Sequence, residues 1–344
     1  MTRIVGIETS CDETAVGIVD DGRTVAGQAV ASSLELHAPY GGVIPEIAAR
    51  AHVEALWPVF EEALARARTD PGSIDAVAVT QGPGLPGALL IGVAFAKGLA
   101  MALDRPLIPV DHLAAHLYAG EMTDADLAPP YVGLVVSGGH TLLCAVYEDW
   151  RIDVLGETRD DAVGEAFDKV GKLLGLGYPG GPAIDRLSEE AAPPPIAFPR
   201  AQTKQAMDFS FSGLKTAVYQ HVEKALAARR KSGESAPVLS RADAAGIAAG
   251  FQDAAVEMLV TRTLRACQRT GLPRIAVGGG VAANRRLRQK LGDAAAAKRL
   301  RVTFPPPELC VDNGAMVAGL GAQLLRRGRV AALTLNADAN LCLA

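Results

Sequence analysis

Apolar and polar positions along the chain switch repeatedly between two periods. Alternation over Arg3–Glu8 and again over Ala15–Asp20, around a polar turn, predicts two strands, with a third over Thr24–Ala31. Helical spacing follows from about Ile44 to Ala67 in two pieces, since Pro58 is expected to break or kink that helix, because proline lacks the N–H and crowds the preceding turn. Ile74–Thr80 reads as a buried strand, and the Gly/Pro-rich run QGPGLPG leads into an apolar helix from Ala88. Further helices are predicted at Gly164–Leu174, Phe211–Arg229, Ala242–Thr270, Asn284–Arg299 and Asn313–Arg327. This alternation predicts an α/β protein with mixed sheets.

A repeat lies within the pattern. Val5-Gly6-Ile7 is followed by Ser10, Thr14 and Val19; Val132-Gly133-Leu134 is followed by Ser137, Thr141 and Val146, each 127 positions later. Both copies read strand, small polar turn, strand, which points to an ancient duplication. A chain of 344 residues is about two domains long, so the copies are expected to be two related halves offering their turns to a shared cleft.

Composition narrows the class. With 49% hydrophobic residues and a net charge of −4, the chain reads as globular, not as a uniformly basic protein that coats nucleic acid. The charge is uneven: from Gly271 onward there are eleven lysines and arginines against four acids, and before it 23 against 34. Arg285, Arg286, Arg288, Lys290, Lys298, Arg299 and Arg301 are therefore a candidate phosphate-binding face, or a solvated helix surface. Five scattered cysteines without a CxxC pair argue against a disulfide scaffold and for a reducing compartment. No signal-peptide core forms before Glu8, and the apolar Ala88–Leu103 segment carries Lys97 and is short for a membrane span. A soluble cytoplasmic protein without a membrane role is expected.

Five stretches carry candidate chemistry. The first turn, IETSCDET (Ile7–Thr14), could aim N–H groups at an anion while Asp12 and Glu13 hold a metal or polarise a nucleophile; a surface hairpin with solvated acids is the alternative. The second, VVSGGHT (Val135–Thr141), lets backbone approach a ligand closely, although a glycine pair is also ordinary turn chemistry. The third, VGGGVAANRRLR (Val277–Arg288), resembles a nucleotide cradle at a helix N-terminus but lacks the GxGxxG signature. In the fourth, His112 and His116 stand four apart on a helix face; a carboxylate such as Asp312 would complete a site suited to iron or zinc. Their spacing lacks the glutamate of HExxH, which counts against a zincin-type peptidase. The fifth runs from Asp160 to Asp185 and includes Asp168 and the YPGGP turn with Gly180-Gly181; its spacing alone decides nothing.

Taken together, IETSCDET, GGVIPEIAAR, QGPGLPGALLIG, HLAAH, VVSGGHT, GEAFDKVGKLLGL, YPGGP, DFSFSGLKTA, GGGVAANRRLR and DNGAM closely resemble one family, the tRNA N6-adenosine threonylcarbamoyltransferases (the bacterial TsaD group and its archaeal and eukaryotic relatives, formerly labelled glycoproteases). The resemblance runs from about Ile4 to Leu325. It implies a duplicated actin-like fold of the sugar kinase/Hsp70/actin (ASKHA) type. The first domain is then expected at 1–110, completed by a helix at about 313–330, the second at 111–312, and a tail at 331–344. It implies transfer of a threonylcarbamoyl group from threonylcarbamoyl-AMP to N6 of adenosine 37 in tRNAs reading ANN codons. It further implies one divalent cation, usually Fe2+ with Zn2+ or Mg2+ possible, on His112, His116 and Asp312. Substrate-binding positions are implied at Val135, Val136, Ser137, Gly138, Gly139, Asp168, Gly181, Asp185 and Asn284. Asp12 and Glu13 are candidate acceptors of the amine proton. The implied partners are tRNA, the paralogous TsaB and the ATPase TsaE; a metal-dependent peptidase, or an ATPase or kinase of the same fold, is the alternative activity.

Overall fold

The computed structural model describes residues 1–192, 196–200, 203–231 and 238–343. The chain opens with β1 (Arg3–Glu8), β2 (Glu13–Asp20), β3 (Thr24–Ser32), α1 (Leu34–His37) and α2 (Pro45–Ala67). It continues through β4 (Ala76–Gly82), α3 (Pro86–Leu103), β5 (Leu107–Asp111) and α4 (His112–Thr123). Next come β6 (Tyr131–Val136), β7 (Thr141–Val146), β8 (Ile152–Glu157), α5 (Val163–Leu173), α6 (Gly180–Ser188) and α7 (Ser212–Lys231). The last elements are α8 (Arg241–Thr270), β9 (Arg274–Gly278), α9 (Arg285–Ala297), β10 (Arg301–Thr303), α10 (Pro307–Cys310) and α11 (Gly314–Arg326).

These elements form two compact units: Met1–Ala128 with Pro305–Ala344, and Pro129–Phe304. Unit 1 holds a five-stranded sheet ordered β3-β2-β1-β4-β5, and unit 2 one ordered β8-β7-β6-β9-β10. In each, the first three strands in chain order pair antiparallel and the remaining two add in parallel. The hairpin registers agree as well. Val5 pairs with Ile18 and Gly6 with Gly17 in one copy, Val132 with Ala145 and Gly133 with Cys144 in the other, all displaced by 127. The spacing found in the sequence is thus the register of a duplicated hairpin.

Strand alternation decides what each face of the unit 1 sheet meets. Val5, Ile7, Val77 and Val79 enter a core with Leu56, Phe60, Val93 and Ala96 of α2 and α3. Gly6 lies on the opposite face under α11, where a Cβ would come 2.8 Å from the Cα of Ala318. Only glycine lets the helix backbone rest on the strand there. The apolar α3, long enough by length and composition to cross a membrane, buries Val93, Ala96 and Ala100 in this core.

The structure departs from expectation at three places. α2 is one continuous helix with Pro58 inside it. Burial of Leu56, Val59, Phe60 and Ala63 on one side outweighs the lost hydrogen bond at the exposed proline. Residues 111–128 and 305–312, expected in the second domain, pack in unit 1, because α4 lies against α11 and α10. The YPGGP turn is partly helical, since α6 begins at Gly180.

The segment after α11 is no loose tail. Ala331 N–H donates to the carbonyl of Leu107 (2.8 Å), and Leu335 and Ala337 pack on the apolar core. Asp338 N–H donates to the carbonyl of Gln81 (2.9 Å) and Gly84 N–H to that of Ala339 (3.3 Å), so the chain end straps the Gln81–Gly84 loop.

Candidate metal centre

α4 places His112 and His116 one turn apart, their ring centroids 4.7 Å from each other. Its N-terminus is capped by Asp111, whose Oδ1 accepts from Ala114 N–H at 2.9 Å. Asp312 arrives from the far end of the chain, just before α11. Asn313 caps that helix through Met316 N–H (2.9 Å) and donates back to the carbonyl of Val311 (2.8 Å), which fixes the backbone on either side of Asp312. As a result Asp312 Oδ1 lies 3.1 Å from His116 Nε2 and 3.7 Å from His112 Nε2. One ligand atom from each of the three residues falls within 4.8 Å of the others. Two imidazole nitrogens and one carboxylate oxygen at this spacing fit a divalent cation with open positions.

The surroundings support that donor set. Glu8, fully buried at the end of β1, lies 2.9 Å from His112 Nδ1. Burial opposes ionisation of Glu8, but the charge and hydrogen bond of His112 outweigh it and hold the carboxyl below its usual range. Burial likewise opposes a charged His112, and Glu8 and Asp312 overcome it, raising the imidazole to about 9. Burial pushes Asp111 up to about 6. The nearby turn is also acidic. Burial, then the charges of Asp312 and Asp12, drive Glu13 up to about 9, and burial keeps the Cys11 thiol protonated far above its normal range. At neutral pH, without a cation, this pocket therefore stores protons on His112 and Glu13.

Two buried histidines hold the turn in place. His52 Nε2 lies 3.0 Å from the carbonyl of Cys11, which can only accept, so Nε2 carries the proton and Nδ1 accepts from Thr14 Oγ1 at 2.7 Å. His37 Nδ1 accepts from Ile44 N–H (3.2 Å), and its Nε2 lies 3.1 Å from Ser33 Oγ, whose hydroxyl donates to the carbonyl of Asp12 (2.8 Å). Burial lowers the basicity of His52.

Unit 2 gathers the other expected positions. Val135 and Val136 bury their side chains in β6, leaving only backbone for a ligand. Ser137 closes the β6–β7 turn with His140, and a Cβ at Gly138 or Gly139 would meet nothing within 4 Å. Asp168 of α5 accepts from Gly180 N–H at 2.7 Å, and Gly181 opens on free space. Asn284 caps α9 through Leu287 N–H (2.9 Å) and turns its amide toward Asp185 (3.4 Å) and Gln252 (2.8 Å). The structure thus brings Asp185 to Asn284, and Asp168 to the Gly180-Gly181 turn.

The family described as TsaD, tRNA N6-adenosine threonylcarbamoyltransferase, matches residues 24–319. The tRNA N6-adenosine threonylcarbamoyltransferase of Anaeromyxobacter dehalogenans (strain 2CP-1) is 50% identical over 340 residues, covering 98% of each chain. That of Clostridium novyi is 47% identical, over 98% of this chain and 97% of its own. The chain belongs to the TsaD family. Its activity is accordingly that of a transferase forming threonylcarbamoyladenosine in tRNA. Among solved structures, HypF from T. kodakarensis superposes with a TM-score of 0.60 at 15% identity, over 95% of this chain and 48% of that one. Component A of the (R)-2-hydroxyglutaryl-CoA dehydratase of Acidaminococcus fermentans gives 0.55 at 12%, over 94% and 98%. Identities this low speak for the fold alone, which is the duplicated actin-like fold expected.

For a TsaD-family chain with a tRNA substrate, the basic stretch around α9 proves less available than its sequence promised. Arg285 pairs with Asp185 and Glu189, Arg286 with Asp253, and Lys290 with Asp253 and Glu257. Arg288 donates to the carbonyl of Ala282 and lies over the Phe304 ring. Acids of α6 and α8 thus offset much of the expected phosphate-binding face. Sequence reasoning also missed Glu8, His37, His52 and Gln252. Glu8 had a signal, a charge ending an otherwise apolar strand; the other three sit within helices and look like ordinary polar positions.

Proposed function

We propose that the chain transfers the threonylcarbamoyl group of threonylcarbamoyl-AMP to N6 of adenosine 37 in tRNAs reading ANN codons, with a divalent cation, Fe2+ by preference, on His112, His116 and Asp312. The observation that carries the cation is the convergence of His112 Nε2, His116 Nε2 and Asp312 Oδ1, although Asp312 lies 196 residues beyond His116 in the chain. A bound cation would supply Lewis-acid stabilisation of charge on the carbamoyl or phosphate oxygens. The donor is already activated as a mixed anhydride, so the protein's task is orientation and charge stabilisation. The open N–H-bearing turn at Gly138 and Gly139 supports a role in cradling the adenylate, with Val135, Val136 and Ser137 supplying backbone and Asp168, Gly181, Asp185 and Asn284 lining its site. Asp12 and Glu13 are the proposed acceptors of the amine proton. Glu13, protonated to about 9 by burial and its acidic neighbours, fills that role only once their charge is offset. Adenosine 37, in a single-stranded loop, can be splayed out at small cost.

The partners proposed are TsaB and TsaE, in the cytoplasm. Exposed apolar side chains on two packed helices of unit 1 support a protein partner: Val53 and Trp57 of α2 and Leu90 and Met101 of α3 are each more than half exposed, and Trp57 meets Phe95 of α3 edge-on at 6.3 Å. The test supplies threonylcarbamoyl-AMP and unmodified tRNA, with and without TsaB and TsaE, and analyses the nucleosides. Threonylcarbamoyladenosine is expected, and His116→Ala should lose the bound cation and the product together. No modified adenosine from folded, cation-loaded protein under any combination would overturn the assignment.

A further inference from the structure

Glu8 is fully buried, and an isolated carboxylate in such a place costs several kcal/mol of desolvation, so its partners have to account for it. Oε1 accepts the N–H of Ser10 at 2.5 Å. Oε2 accepts the hydroxyl of Thr80 at 2.7 Å and faces His112 Nδ1 at 2.9 Å. Ser10 Oγ lies 3.2 Å from the same nitrogen. A carboxylate only accepts, so Nδ1 carries a proton toward Glu8, and Nε2, directed toward Asp312, is the nitrogen left for a cation once its own proton is displaced.

The duplicated unit shows that the fold does not need an acid there. The pair Glu8–Ala15 in the first hairpin corresponds to Val135–Leu142 in the second, at the same offset of 127. Thr80, beside Glu8 on β4, corresponds to Gly278 beside Val135 on β9. Where the second copy buries a valine against a glycine, the first buries a carboxylate against a hydroxyl, and that carboxylate faces His112.

We infer that Glu8 is a positioning residue for the cation: it fixes the tautomer and ring orientation of His112 so that Nε2 faces Asp312 and His116. This rests on the reading that these three residues hold a cation. Thr80 and Ser10 hold Glu8 in turn, so the β1–β4 strand pair sets the direction of a helix-borne ligand.

The test titrates cation-stripped wild type and Glu8→Gln with Co2+ and Zn2+ against a competing chelator. Glutamine keeps the size, but its NH2 replaces one of the two accepting oxygens. Affinity is expected to fall about 10- to 100-fold with altered Co2+ visible bands. A role confined to stability would lower the Tm of the cation-free variant and leave both readouts alone. In Zn2+-loaded wild type, ring proton–nitrogen correlation should find the His112 proton on Nδ1, and this readout decides the matter if Glu8→Gln does not fold. Equal affinity within twofold in a folded variant, or zinc on Nδ1 of His112, overturns the inference. Wild type that takes up neither ion overturns the cation reading beneath it.

Discussion

If the proposed cation binds at His112, a proton competes with it for Nε2. Glu8 and Asp312 overcome the cost of burial and raise the imidazole to about 9, so at pH 7 the cation-free ring is charged. A cation can bind Nε2 only by displacing a proton, which makes binding and proton release one event. Apparent affinity should therefore climb by about tenfold per pH unit from pH 6 and level off near 9, with about one proton or more released per cation at pH 7. Titration calorimetry in buffers of different ionisation enthalpy measures that number; no release at pH 7 would mean a neutral His112. How visible these residues are in sequence depends on distance. His112 and His116 lie four apart, and helical spacing alone puts them on one face. Asp312 is within hydrogen-bonding reach of a histidine 196 residues earlier, a contact no local period encodes. Glu8 ends a strand whose alternation explains its neighbours but says nothing of the helix beyond.

Elements followed their patterns where local preference and packing agree. The hairpin β1–β2, the capped helix α9 and the long α8, which opens with a Ser240–Asp243 capping box, lie close to where the periodicity puts them. α2 is the exception: proline argued for a break, and the core on its inner side held the helix together. Pro58 is exposed and the turns on both sides are helical, so Pro58→Ala should restore the missing hydrogen bond. An interior proline costs about 3 kcal/mol and returns up to about 1 through the stiffer unfolded chain, so a net gain of about 2 kcal/mol is expected by denaturant unfolding. A loss of stability would show that a bend at this position is itself part of the packing.

For the whole molecule, the repeat was legible and the domain boundary was not. Matching strands announce a duplication through their residues, but that α4 and the last forty residues belong with the first sheet is decided by tertiary packing. Partner docking is also a property at this scale. Trp57→Glu, at an exposed position of α2, should weaken capture of the proposed partner TsaB by at least tenfold and leave affinity for the proposed cation unchanged; undiminished capture on a sensor surface would move the proposed docking site elsewhere. The interleaved chain path has a consequence for biosynthesis. Asp312, the helix laid across Gly6 and the strap on Gln81–Gly84 are all translated after the whole of unit 2. A ribosome delivers the N-terminus first, so the first sheet waits, one face uncovered, through the synthesis of an entire second unit. Until Asp312 and α11 are made, the growing polypeptide holds two histidines with no aspartate beside them, and a product truncated before them would carry an exposed apolar sheet in place of an enzyme.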